Sequence, residues 1–211
     1  MNKELSPTLV SFDVDGTIFH GPWPITPLTW RQRQTESVRK RIAPRLATWT
    51  HGWRKVKPGV RETMDYLHQL GIPMIVLSGR PSHLLPLTVQ ELRKNDLLDY
   101  IEDFFLNKNS RPSHQHKQEY IESLMNSFET LHLAHFEDDP VAAQAIANIN
   151  PERITVFLMA TPLNGLGLLT RQGIKLPKNV IRIPGMKNLG HLKEVFENQK
   201  DKSQRSGRTS L

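Results

Sequence analysis

The sequence predicts an α/β protein: an open parallel sheet with helices on both faces, and a small, mainly helical insertion after the first strand. Three observations lead there. Short apolar runs such as Leu9-Val10-Ser11-Phe12, Met74-Ile75-Val76-Leu77 and Ile154 to Met159 alternate with segments of helical period. The runs are close to continuously apolar, as strands covered on both faces are. Residues able to do chemistry follow the ends of these runs, the edge at which open α/β sheets bind ligands. A chain of 211 residues, 37% hydrophobic, holds one such domain with an insertion but not two full domains.

The first run leads into Asp13-Val14-Asp15-Gly16-Thr17. If the extended geometry persists that far, alternation turns Asp13 and Asp15 to the same side. Two like charges so close repel, which is tolerable if a cation sits between them or they share a proton. Gly16 lets the chain leave the strand through conformations closed to other residues. The three prolines between Phe19 and Pro27 make an irregular loop. From Leu28 to Trp53 the composition suits helix, broken near Pro44 and Gly52, and Lys57-Pro58-Gly59 ends the segment. Val60, Met64, Leu67 and Leu70 then mark a helix from Val60 to Leu70, and Gly71-Ile72-Pro73 breaks it before the second strand, Met74 to Leu77. Helix, break, strand is half of a right-handed crossover.

Ser78-Gly79-Arg80-Pro81 ends that strand. A hydroxyl there, followed by a glycine and a helix start, suits a phosphoryl oxygen, although a plain N-cap serine has the same pattern. Helix is expected from Ser82 to Asp96, a third strand from Tyr100 to Leu106, and a polar loop from Asn107 to His114. Tyr120, Ile121, Leu124, Met125 and Phe128 form one face of the next helix, with Lys117 in its first turn. The helix dipole mildly disfavours a lysine there, so local stability does not explain it; neutralising a phosphate and two carboxylates would. Lys108 and Arg111 are the alternatives, and His114, His116, His132 and His135 read as surface or loop residues. A short strand from Leu133 ends in Glu137-Asp138-Asp139-Pro140, three acids whose repulsion a bound cation would offset. Asp138 ranks first as metal ligand, Asp139 second and Glu137 third, with capping of the Val141 to Asn148 helix the other role for Asp139. Strands at Ile154 to Met159 and Val180 to Ile183, a helix at Leu189 to Phe196 and a disordered basic tail at 198–211 complete the chain.

Asp-x-Asp-Gly-Thr at Asp13 to Thr17, the Ser78 strand end, Lys117-x-x-x-Ile121-x-x-Leu124 and the acids at 137–139 occur in an order that resembles the four motifs of the haloacid dehalogenase (HAD) superfamily. The resemblance covers roughly Leu9 to Leu158 and implies a Rossmann-like HAD fold with a catalytic core at 1–17 and 58–197 and a cap at 18–57. It implies a phosphatase in which Asp13 is the nucleophile, Asp15 the general acid and base, and Ser78 and Lys117 bind phosphoryl oxygens. Thr17, Gly79 and Arg80 would line the substrate site, and Mg2+ would be held by Asp13, the Asp15 backbone carbonyl and Asp138, with Asp139 as a further candidate. Ile18-Phe19-x-x-Pro22-x-Pro24, Gly52-Trp53 and the helix from His116 to Leu124 look similar to the HAD domain of "Swiss Army knife" RNA-repair proteins.

The charge is uneven. Nine Lys or Arg from Arg31 to Lys57 face one acid, Glu36, so this stretch accounts for the chain's net +7. All four tryptophans, Trp23, Trp30, Trp49 and Trp53, lie in or just before it. Cations for phosphates and rings for stacking suit RNA or DNA, although a small tryptophan core under a solvated basic helix has the same composition. The expected substrate is therefore a phosphorylated polynucleotide end, with a small-molecule phosphatase or a non-catalytic nucleic-acid-binding module as alternatives. The absence of cysteine excludes a disulfide framework and a thiol nucleophile. With no signal-peptide pattern and no apolar run long enough to span a bilayer, a cytoplasmic protein is expected.

Overall fold

The computed structural model describes residues 8–20, 54–109, 111–160 and 174–187, with Lys193 and Phe196. A six-stranded sheet runs through them in the order β3-β2-β1-β4-β5-β6, every neighbouring pair parallel. The strands are β1 Thr8–Phe12, β2 Met74–Pro81, β3 Asp103–Asn107, β4 His132–Glu137, β5 Ile154–Met159 and β6 Val180–Ile183. The helices are α1 Val60–Gln69, α2 Leu85–Lys94, α3 Ser113–Ser127 and α4 Pro140–Ala147. None of the helices among the described residues is long and apolar enough to cross a membrane. The chain builds outward from β1 through β2 to β3, then returns to place β4 on the other side of β1. The crevice at the carboxyl ends of β1 and β4 is thus the topological switch point, where a sheet of this kind binds ligands.

Alternation along the strands divides the core into two layers. Val10 and Phe12 of β1, Ala134 and Phe136 of β4 and Phe157 of β5 share one face with Val60, Met64 and Leu67 of α1 and Leu92 of α2. Leu133 of β4 and Val156 and Leu158 of β5 share the other with Ile121 and Met125 of α3 and Ala143, Ile146 and Ala147 of α4. Phe12 is in register with Phe136, and Phe136 with Phe157. Their rings stack across three strands with centroids 4.8 Å apart at each step. Such pairs add about 0.5–1.5 kcal/mol each beyond the area they bury.

Three boundaries differ from expectation. β2 runs on to Pro81, with a register shift between Ser78 and Pro81. A residue before proline is pushed to extended backbone, which holds Arg80 in the strand. No helix therefore starts beside Ser78; a 3-10 turn at Ser82–Leu84 comes first and α2 begins at Leu85. Tyr100 belongs to a second 3-10 turn, Leu98–Tyr100, and β3 starts at Asp103. Lys117 lies in the second turn of α3, because the helix starts at Ser113.

The expected insertion lies outside the described residues except at its two ends, as do all four tryptophans, the first six of its nine basic residues, most of the closing helix and the tail. Its ends form a neck: Phe19 bridges Val56 antiparallel, the His20 N–H donates to Lys55 O at 3.0 Å and the Lys57 N–H to Ile18 O at 2.8 Å. Gly59 closes the neck at φ +86°, and a Cβ there would strike the backbone of Met186 and Lys187.

Candidate active site

The strand β1 ends at Phe12, so Asp13 and Asp15 do not continue one face and take different partners. Asp13 turns toward the layer under α3. Its N–H donates to Phe136 O at 2.9 Å, and its Oδ1 lies 2.7 Å from Lys117 Nζ. That ammonium is 2.5 Å from Oε2 of Glu137, at the end of β4. One residue past the last registered pair of β1 and β4, Phe12 and Phe136, the edge thus presents Asp13 and Glu137 to one lysine rising from α3. All three are buried.

Asp138 follows Glu137 and lies against Gly16. Gly16 has φ +83°, and a Cβ there would collide with the Asp138 carboxylate. The glycine is required twice, by the turn and by the contact. Carboxylate oxygens of Asp13, Glu137 and Asp138 all lie within 4.8 Å of one another. Asp139 instead caps α4, its Oδ1 accepting the Val141 N–H at 2.9 Å, the other role the sequence allowed it. From the neck, Lys57 donates through Nζ to the Gly16 carbonyl.

The electrostatics follow from burial and imbalance. Burial pushes Asp13 up to about 6, Lys117 opposes this, and Glu137 and Asp15 add to it. Asp138 is raised well above the ordinary carboxylate range by burial, then by Glu137 and Asp13. Burial would also raise Glu137, but Lys117 and His135 outweigh it and hold Glu137 at about 2. Burial opposes the charge on Lys117, and Asp13 and Glu137 overcome that, keeping it above its ordinary value. Lys117 therefore stays a cation among acids that outnumber it.

A divalent ion fits this surplus of negative charge, and hard carboxylate oxygens suit Mg2+. Glu137, however, is already satisfied. Its Oε1 accepts the N–H groups of Asp138 and Asp139 at 3.1 and 3.0 Å, and its Oε2 faces Lys117 Nζ and, at 3.1 Å, His135 Nε2. Four donors occupy its lone-pair sites. Asp13 and Asp138 are thus the carboxylates placed to hold an ion, and Glu137 anchors the turn that carries Asp138.

Asp15 belongs to a second cluster. Arg80 grips it with Nε on Oδ2 at 2.9 Å and Nη2 on Oδ1 at 2.8 Å. Arg54, from the neck, also pairs with Asp15 and reaches Glu91 on α2 at 2.7 and 2.8 Å. Arg80 donates in addition to Glu91 Oε2 and Thr88 Oγ1, both at 2.8 Å. Burial opposes the charge on Arg80, but Asp15 and Glu91 together raise its pKa. Ser78 is buried at the end of the paired part of β2 and accepts the Arg80 N–H at 3.4 Å. A Cβ at Gly79 would collide with the Ser113 side chain at the start of α3. The Thr17 hydroxyl is buried and has no hydrogen-bond partner among the described residues.

Four residues of these clusters escaped the sequence reading. His135 is not a surface residue: it is fully buried, because β4 is covered on both faces. Its Nδ1 is 2.8 Å from Ser11 Oγ. The signal was available, since Ser11 and His135 are polar residues inside apolar runs, where a polar group needs a partner. Arg54 and Glu91 carried no comparable signal, one standing in a basic stretch and the other on a helix of mixed charge.

No protein-family model matches the sequence, and a search of curated proteins finds no relative. Solved structures do share the fold. A predicted phosphatase from Clostridium acetobutylicum aligns with TM-score 0.62 and 14% identity over 92% of this chain and 100% of its own. A predicted phosphoglycolate phosphatase from Haemophilus somnus aligns with TM-score 0.60 and 12% identity over 90% and 99%. A haloacid dehalogenase-like hydrolase from Streptococcus pneumoniae aligns with TM-score 0.59 and 12% identity over 89% and 99%. The chain has the Rossmann-like α/β fold of HAD hydrolases.

Proposed function

We propose that the protein is a Mg2+-dependent phosphomonoester hydrolase working through an aspartyl-phosphate, with a phosphorylated polynucleotide end as substrate. The observation that carries this reading is the buried Asp13–Lys117 pair beside Asp138, at the switch point of the sheet. The Asp13 oxygen not held by Lys117 attacks phosphorus, the phosphorus–oxygen ester bond breaks, and the leaving oxygen takes a proton from Asp15. Water then attacks the same phosphorus, gives its proton to Asp15 and frees phosphate, which restores the Asp13 carboxylate. Lys117 neutralises charge on the phosphoryl oxygens throughout, and the Ser78 hydroxyl donates to one of them. Mg2+, held by Asp13 and Asp138, would supply further neutralisation of those oxygens. Arg80 and Arg54 hold the Asp15 side chain at the edge of the site and must share it with the substrate.

The polynucleotide end is favoured by the nine basic residues from Arg31 to Lys57, a sequence stretch suited to phosphates flanking the one that is cleaved. The resemblance to the HAD domain of RNA-repair proteins points the same way. The test is phosphate release from 3′- and 5′-phosphorylated RNA and DNA oligonucleotides, nucleoside monophosphates and an aryl phosphate, with Mg2+ and with chelator. Mg2+-dependent release that prefers an oligonucleotide end is expected. Release from small esters alone would keep the chemistry and remove the nucleic-acid substrate.

A further inference from the structure

We propose that Ser11 and His135 are positioning residues which, through Glu137, set the places of Lys117 and Asp138. The two form a buried line from the middle of β1, across β4, to the active edge: Ser11 Oγ to His135 Nδ1 at 2.8 Å, His135 Nε2 to Glu137 Oε2 at 3.1 Å, Glu137 Oε2 to Lys117 Nζ at 2.5 Å. Strand alternation creates it, because Ser11 and His135 are in register on the face that α3 covers, and Glu137 is two residues further along β4. An ionised carboxylate can only accept, so His135 donates from Nε2; burial lowers the pKa of the ring, and a neutral ring then accepts at Nδ1, with the Ser11 hydroxyl donating to it.

The line has a reason to exist. Glu137 must hold one lysine and two backbone amides at once, and its carboxylate can rotate about its last bond. The bond from His135 to Oε2 leaves one orientation in which Oε1 still meets the Asp138 and Asp139 N–H groups. Partners of this kind orient the groups that touch a metal or substrate, and their loss commonly costs about 10- to 100-fold in metal affinity or activity.

Two variants separate the bonds. Gln can reach with its amide N–H to the place of the His135 Nε2, whereas Asn reaches only to the place of Nδ1. His135→Gln keeps the donor to Glu137; His135→Asn keeps the Ser11 contact and loses that donor. Nitrogen-detected NMR of the metal-free protein should show His135 protonated at Nε2 alone; protonation at Nδ1 alone would overturn the proposal. Calorimetric titration with Mg2+ should show a loss of about 10- to 100-fold for His135→Asn and an affinity near the unaltered protein's for His135→Gln, with thermal melts checking that both fold. Equal losses in the two variants, or none in either, would overturn it as well. The kinetic arm rests on the phosphatase reading and expects kcat to fall in His135→Asn with KM unchanged. An unaltered protein that binds Mg2+ and hydrolyses no phosphoester would sink that reading, while the NMR and titration results would still decide this one.

Discussion

Two clusters of cations and carboxylates flank the edge of the sheet, and they differ in balance and in origin. Around Lys117 one ammonium faces Asp13, Glu137 and Asp138, all drawn from the core sheet, its edge turns or α3. Around Arg80 and Arg54 two guanidiniums face two acids, Asp15 and Glu91, and Arg54 enters from the neck of the insertion. In the first cluster Asp13, Glu137 and Lys117 are buried and Asp138 is half-buried, whereas in the second the Asp15 side chain is 39% exposed. A balanced cluster holds its members in place, here the Asp15 side chain at the edge of the site. An unbalanced one retains capacity for a cation and for a phosphoryl group, and in a buried setting that capacity is costly unless it is used.

The contrast can be broken at several points. Asp13→Asn should lower phosphate release by on the order of a thousandfold or more, since in the proposed mechanism it removes the nucleophile and not one of several helpers. Ser78→Ala should lose far less, and comparable losses in the two would place the chemistry elsewhere. Lys117→Met should cost about 3–5 kcal/mol in urea unfolding, because two buried acids lose their partner. Arg54→Lys, which cannot span both Asp15 and Glu91, should cost about 1–3 kcal/mol, the exposed side of Asp15 softening the loss. A loss as large as that of Lys117→Met would show that the second cluster is no less demanding than the first.

The smallest effect is a proton linkage. Asp13 is raised from 3.8 to about 6, so the metal-free fold gains stability as pH falls through about 6 toward 3.8, and Mg2+ must displace the extra proton. Apparent Mg2+ affinity should therefore rise with pH through about 6 and, because Asp138 is raised as well, go on rising above it, with proton release seen as a buffer-dependent heat of binding. Glu137 works in the opposite sense. Held at about 2 against an ordinary 4.5, it contributes stability present above pH 4.5 and lost as pH falls toward 2. A Mg2+ affinity that is flat through pH 6 would separate Asp13 from the metal.

Much of this was legible in the chain. The strands at 154–159 and 180–183 carry their apolar runs openly, and α1 shows its period in Val60, Met64 and Leu67. Asp13, Lys117 and Asp138 stood out because each sits where its chemistry is unusual for local structure, whereas Ser78, whose pattern a plain N-cap shares, stood out only through its place among the motifs. Residues whose importance depends on a distant partner did not stand out. Glu137 ranked last of three acids, yet it touches Lys117, His135 and two amides, all settled by how α3 lies across β4. Asp139 ranked above it but turned to cap α4.

By itself the sequence determined the parallel sheet, the order of its strand-end motifs and the presence of an acidic edge, because periodicity and local charge are properties of neighbouring residues. Tertiary structure alone decided how the charges are shared. It gave Asp13 to Lys117 and Asp15 to two arginines, placed Ser11 and His135 in one buried line, and satisfied Glu137 so that Asp13 and Asp138 remain for a cation. The physical reason is that pairing energy depends on separations of a few ångströms between residues tens of positions apart, and only packing sets those separations.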